Sequence, residues 1–347
     1  MGILTSDMRA HRFAFRPLSG RLICLATTTL FLAVVVIGPS SAFGGGRPEV
    51  PRPSEGDSGE DSAEPDDGEK VQDADPASED EFSGALFESE RFERGPVALV
   101  LGGGGAWGAA HIGVLEVLEE ENIPIDMIVG TSAGAVAGAF YLDGYTTGEL
   151  STELENLPFL EVLRPSFGGI GFFGTDPLED YFQARLEAER IEDLPVPLAV
   201  TATDINTGES LYFNEGPLPR LLTASMAIPV VFDPVEYDGR LLADGGIVDN
   251  VPVAAARALG ARTLIVVNVG GGFAFTGEPE SRTEYANRIY NIMRKALHDA
   301  DEVDIYIDPD LDGISGTDFD AHEEIARRGR EAAEELVPEL RELFGRR

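Results

Sequence analysis

A strand-like run at residues 97–101 opens directly into Gly102-Gly103-Gly104-Gly105-Ala106-Trp107-Gly108, and a second at 127–129 opens into Gly130-Thr131-Ser132-Ala133-Gly134. In both places a strand must hand the chain to a helix within a few residues, which only small side chains permit. The second block has the form G-x-S-x-G and leads into a helix-like run at 133–142. That pattern is a nucleophile elbow: a sharp strand-to-helix turn that leaves the hydroxyl of Ser132 exposed at the end of a sheet.

The first block needs closer reading, because Gly103-x-Gly105-x-x-Gly108 after a strand also spells a dinucleotide fingerprint. A dinucleotide site calls for an acidic residue at the end of the next strand, to hold the ribose hydroxyls. Here that strand ends in Gly130-Thr131-Ser132, and Asp126 stands before it, at the wrong end. No G-K-[S/T] follows the glycines to form a P-loop. The same geometry also serves anion capture, since free backbone N–H groups at a helix N-terminus point at negative charge. A tetrahedral oxyanion is such a charge.

A third block lies far downstream at Gly239-Arg240-Leu241-Leu242-Ala243-Asp244-Gly245-Gly246. A buried strand running into a tight Asp-Gly-Gly turn would present Asp244 at a strand tip. Taken alone such a turn is structural, because Asp caps turns and Gly supplies positive φ. Tyr237-Asp238-Gly239-Arg240 is a hairpin turn into that strand. Further strand-like runs at 198–203 and 263–268 alternate with helix-like runs at 107–121, 133–142 and 253–259. Alternation of this kind implies an α/β fold with a largely parallel sheet covered on both faces.

With these blocks in this order the chain resembles the patatin-like phospholipase family. The glycine-rich oxyanion loop of that family matches Gly102 to Gly108, its elbow matches Gly130 to Gly134, and its D-G-[G/A] block matches Asp244, Gly245 and Gly246. A further A-S-x-x-x-P block matches Ala224-Ser225-Met226-Ala227-Ile228-Pro229, and similarity extends over about residues 97–335. The resemblance implies a patatin-like three-layer α/β/α fold and a lipid acyl hydrolase of phospholipase A, lysophospholipase or carboxylesterase type. It makes Ser132 the nucleophile and Asp244 its base, a dyad without histidine, with backbone N–H groups in the loop of Gly103, Gly104, Gly105, Ala106, Trp107 and Gly108 as the oxyanion hole. No cofactor or metal is implied. The partner is a lipid or lipid-like ester, met transiently at a membrane or micelle surface.

One position departs from the family, whose members commonly carry Arg or Lys where this chain has Trp107. Loss of that cation leaves the backbone donors in place but removes positive field, so a catalytically weak lipid-binding relative is the alternative. Trp107 itself is expected either to contact an acyl chain or to pack.

A histidine triad is the mechanistic alternative. The chain has four histidines: His11 in the leader, His111 on the helix after the glycine loop, and His298 and His322, which follow Asp244. His111 reads as a capping or packing residue, and His298 and His322 as solvated helix positions. Residues 308–313 imitate the start of a calcium loop, but the twelfth position is Phe319 where a bidentate carboxylate is required. The lone cysteine rules out thiolate zinc sites.

Arg9, Arg12, Arg16 and Arg21 precede an apolar run at 22–37, and Ser40-Ser41-Ala42 offers small residues for cleavage. Residues 1–42 have the form of a secretory signal peptide, so the protein is expected to be exported; an uncleaved membrane anchor is the alternative. Residues 43–95 turn to Pro, Gly, Ser, Asp and Glu, a composition that buries too little apolar surface to fold, and read as an acidic linker. Residues 96–347 are then one catalytic domain. Residues 156–175, rich in Gly and Phe, read either as a mobile cap over the site or as a partly buried loop. The net charge of −36, from 62 acidic and 26 basic residues, excludes nucleic acid as a partner. An acidic surface also repels anionic membranes, so lipid contact must rest on apolar side chains or on salt. Oligomeric state is not legible.

Overall fold

The computed structural model describes residues 95–158, 162–270, 278, 285 and 303–345. The leader, almost all of the acidic linker, and His298 lie outside the described residues.

The four apolar runs read as strands are strands: β1 (Val97–Leu101), β2 (Met127–Thr131), β3 (Leu198–Asp204) and β7 (Thr263–Val267). Each is buried along its whole length, as strands covered on both faces must be. Three more strands are antiparallel: β4 (Ser210–Phe213), β5 (Val235–Tyr237) and β6 (Arg240–Asp244). The last, β8 (Ile305–Ile307), adds to β7 in parallel. The order across the sheet is β5-β6-β3-β2-β1-β7-β8, with β4 on β3. Largely parallel and flanked by helices on both faces, this is the α/β architecture expected from the sequence.

Period-two alternation sorts the strand residues between the two faces. Leu99, Leu101, Ile128, Leu198, Val200, Ile265 and Val267 enter the larger core. Ala98, Val100, Val129, Ala199, Leu264 and Val266 enter a smaller one. The larger face is covered by α1 (Ala110–Glu120), α2 (Ala133–Leu142), α3 (Thr147–Glu155), α4 (Asp176–Gln183), α5 (Leu218–Ser225) and α7 (His322–Glu335). The smaller face is covered by α6 (Val253–Ala258), and a final helix, α8 (Val337–Leu343), follows α7.

The helix expected at 107–121 is two elements, a 3-10 turn at Gly105–Ala109 and then α1. It is also more buried than a surface helix, because α7 lies directly across it. Gly113 and Gly329 meet at that crossing: a Cβ on Gly113 would stand 1.9 Å from the Ala326 carbonyl oxygen, and one on Gly329 would stand 2.1 Å from that of Ala110. Backbones packed this closely fix α1, and with it the glycine loop at its N-terminus, against the C-terminal part of the chain. Among the described residues no helix is long and apolar enough to cross a membrane.

Candidate active site

Strand register brings the separate blocks to one place. Thr131 on β2 pairs with Thr201 on β3, and Ala202 on β3 pairs with Asp244 on β6. Ser132, one residue past Thr131, and Asp244 therefore flank β3 in adjacent rows at the ends of their strands. Open α/β sheets bind ligands at the carboxyl ends of their parallel strands.

Ser132 has φ 52° and ψ −121°, a conformation forbidden to most side chains and typical of strain held at a functional turn. The turn closes because its neighbours are small: a Cβ on Gly134 would stand 2.2 Å from the Leu101 carbonyl oxygen, and one on Gly130 would stand 2.6 Å from Ala135 Cα. The Ser132 hydroxyl donates to Asp244 Oδ2 at 2.8 Å. Asp244 Oδ1 accepts the Gly246 N–H at 2.7 Å, so the Asp-Gly-Gly turn holds its own carboxylate in place. Both side chains are buried.

The A-S-x-x-x-P block acquires a physical role here. Ser225, fully buried at the end of α5, accepts the backbone N–H of Ser132 on its Oγ at 2.8 Å. Two residues on, the Ala227 carbonyl accepts the Asp244 N–H at 2.9 Å. One short segment thus braces both members of the pair. Behind them runs a threonine ladder: Thr131 Oγ1 and Thr201 Oγ1 are 2.6 Å apart, Thr131 Oγ1 also donates to the Asp249 carbonyl, and Thr203 Oγ1 donates to the Asp244 carbonyl.

The glycine loop is held from both sides. Gly103 donates its N–H to the Asn250 carbonyl, and Asn250 Nδ2 donates to the Gly103 carbonyl, each at 3.1 Å. Ala106 N–H reaches the Gly316 carbonyl at 2.8 Å. Between these ties the N–H groups of Gly104 and Gly105 have no hydrogen-bond partner among the described residues. A Cβ on Gly103 would lie 3.1 Å from Ser132 Cβ, so the loop runs beside the serine. Asn250 and Ser225 were not legible as site residues; each acts through a partner more than ninety positions away. The only local signal for Asn250 is its place just beyond Asp-Gly-Gly, before Pro252.

Trp107 packs. Its ring is buried, its Nε1–H donates to the Ile314 carbonyl at 3.0 Å, and Gly316 lies against the ring face. Of the two roles expected for it, packing is the one seen: the ring is a wedge that seats the glycine loop on the turn at 314–316. An arginine introduced there would bury a charge rather than extend one toward a substrate.

The histidines divide. His322 begins α7, where its Nδ1 lies 3.0 Å from the Phe319 carbonyl. His111 is wholly buried; its Nε2 lies 2.8 Å from the Gly102 carbonyl, and its Nδ1 has no partner among the described residues. Burial lowers His111 from 6.5 to about 4, against the opposing effect of that carbonyl, so the ring is neutral near pH 7 and Nε2 is the donor. Between about pH 4 and 6.5 the unfolded chain binds a proton that the folded chain refuses, so stability rises with pH, by about 1.4 kcal/mol per unit. Asp249 works the other way: burial raises it from 3.8 to about 6, so its stabilising contribution is lost as pH climbs through that window. Comparison with His111→Gln cancels the Asp249 part. In denaturant unfolding from pH 6.5 down to pH 5 the wild type is expected to lose roughly 1–2 kcal/mol more than the variant. Equal losses would show that His111 takes up a proton in the folded state.

Residues 99–257 match the family model described as Patatin-like phospholipase. The chain is similar to an uncharacterized NTE family protein of Mycobacterium tuberculosis, with 39% identity over 198 residues, covering 56% of this chain and 55% of that one. It is also similar to the human patatin-like phospholipase domain-containing protein 6, with 35% identity over 184 residues, covering 50% of this chain and 13% of that one. The chain therefore spans about half the length of the first relative and a small part of the second. Among solved structures, VipD from Legionella pneumophila superposes with a TM-score of 0.50 at 16% identity, covering 71% of this chain and 67% of that one, which is a likeness of fold.

Proposed function

Because this chain carries a patatin-like phospholipase domain, we propose that it is a lipid acyl hydrolase that cleaves carboxylic esters through an acyl-serine intermediate. The observation that carries the proposal is the 2.8 Å hydrogen bond from the hydroxyl of Ser132, on its strained elbow, to the buried carboxylate of Asp244.

A serine hydroxyl becomes a useful nucleophile when an adjacent base takes its proton. Here Ser132 Oγ attacks the ester carbonyl carbon, the proton passes to Asp244 Oδ2, and the carbonyl electron pair moves onto oxygen. The N–H groups of Gly104 and Gly105 are the donors we assign to that oxyanion, since they have no partner among the described residues and sit on a loop fixed at Gly103 and Ala106. When the intermediate collapses, the alcohol leaves with the proton from Asp244. Water then gives a proton to Asp244 and attacks the acyl-serine carbonyl; collapse of this second intermediate returns that proton from Asp244 to Ser132 Oγ and frees the acid. Gly246, through its bond to Oδ1, keeps the carboxylate aimed throughout. The chemistry needs no histidine: His111 is neutral, buried and bonded to Gly102. The alternative, a catalytically weak lipid-binding relative that lacks the family's cation at Trp107, would bind lipid in a hydrolysis assay without releasing acid.

We further propose export through the leader at 1–42, a linker at 43–95 and a catalytic domain over 96–347, with access to lipid as a transient event at a surface. A screen from dissolved p-nitrophenyl esters to phospholipids and lysophospholipids tests the reading. Fatty acid release from at least one lipid class is expected, and release from none would overturn it.

A further inference from the structure

The chain is strongly acidic, yet residues 165–175 and 221–232 contain no charged side chain. The two segments lie against each other. Phe172 N–H donates to the Val230 carbonyl at 3.0 Å, Phe173 N–H to the Val231 carbonyl at 2.9 Å, and Asp233 N–H to the Phe173 carbonyl at 2.9 Å. Asp233 pins the far side, accepting from the Ser166 hydroxyl and from the Gly171 N–H. The rings of Phe173 and Phe232 pack beneath, with centroids 6.2 Å apart.

Above this anchored base the turn projects apolar groups into solvent. Phe167 is 96% exposed, Ile170 78% and Val230 59%. Val230 also has φ 71°, which a β-branched residue adopts only under strain and which glycine or asparagine would relieve. Large exposed apolar groups gathered at one place mark a surface that docks.

We infer that this turn, through Phe167, Ile170 and Val230, is the point at which the protein enters a zwitterionic lipid surface. The inference rests on the reading of the site as a lipid acyl hydrolase and names how that site meets its substrate. A chain of net charge −36 is repelled by anionic headgroups, and an uncharged projection is the part of it that a neutral bilayer accepts without electrostatic penalty. Continuity with the site supplies the second argument. The segment that carries Val230 is the one whose Ser225 holds the Ser132 N–H and whose Ala227 holds the Asp244 N–H. A lipid surface seated on the turn therefore lies at the rim of the pair that would cut it. The segment expected to cap the site is, in this account, a docking tip held fast at its base.

The test uses the full chain with Cys24→Ser, so that a polarity-sensitive fluorophore can be placed on Ile170→Cys or, as a control, on Glu331→Cys at the exposed face of α7. Phosphatidylcholine vesicles at 0.15 M salt are expected to shift the tip probe to the blue and to leave the control probe unmoved, even with Ser132→Ala. In a second arm, Phe167→Ser with Ile170→Ser is expected to lower the ratio of vesicle-lipid to dissolved-ester hydrolysis roughly tenfold or more, the loss due to large apolar side chains that no longer partition. Both residues are exposed, so the fold is retained. A tip probe that does not shift, or shifts no more than the control, overturns the inference and leaves the hydrolase reading standing. A shift in a protein that hydrolyses no ester supports docking while sinking that reading.

Discussion

Ser132→Ala and Asp244→Asn are each expected to lower hydrolysis of a dissolved ester by about a thousandfold or more, with circular dichroism and unfolding midpoint close to wild type. The first removes the atom that forms the acyl bond. The second keeps shape and the acceptor for Gly246 N–H, but leaves no carboxylate to take the serine proton. Groups that act as one unit lose their effect together, so the double variant is expected to be no worse than the poorer single one. Multiplying losses would mean that the two act independently, and a largely active Asp244→Asn would move the base elsewhere.

The second large effect belongs to the glycine loop. Gly105 has φ +60°, and a Cβ there would lie 2.6 Å from the Gly316 carbonyl oxygen, the acceptor for Ala106 N–H. Gly105→Ala is therefore expected to push the loop off the turn at 316 and to misplace the donors assigned to the oxyanion. Loss of one such donor commonly costs about a hundredfold in kcat or more. Gly144→Ala is the control: Gly144 also has positive φ, +101°, but a Cβ there meets nothing within 4 Å. It is expected to carry backbone strain of about 1 kcal/mol and unchanged kcat. Equal kcat in the two variants would show that the loop does not bear on catalysis.

Much of this arrangement is written locally. A nucleophile elbow needs small residues on both sides of Ser132, and strands buried on two faces need unbroken apolar runs, so β1, β2, β3 and β7 are legible from short windows. The turn at Asp238-Gly239 is equally plain, and both residues adopt positive φ. Parts whose reason lies far off in the chain are not. Trp107 is buried because the turn at 314–316 folds over it, and His111 is buried with its Nε2 against the Gly102 carbonyl just past β1. The turn is not visible from residues 105–121. The edge strand β4 alternates exposed and half-buried positions and is four residues long, too short and too polar to stand out. Ser225 is marked only as part of the A-S-x-x-x-P block and Asn250 looks like an ordinary polar residue; neither shows its role until the sheet brings it to the elbow or the loop. Asp244, in an Asp-Gly-Gly turn that is structural when taken alone, is legible as a site residue only beside the elbow of Ser132.

The central claim, that Asp244 activates Ser132 within a folded site, is tested most directly by a fluorophosphonate ester followed by intact mass and peptide mapping. The probe reacts only with an activated serine and does not require the natural lipid. One adduct per chain, located on Ser132, absent from Ser132→Ala and greatly slowed in Asp244→Asn, is the result expected. An unmodified wild type, or an adduct on another residue that persists in Ser132→Ala, would contradict it.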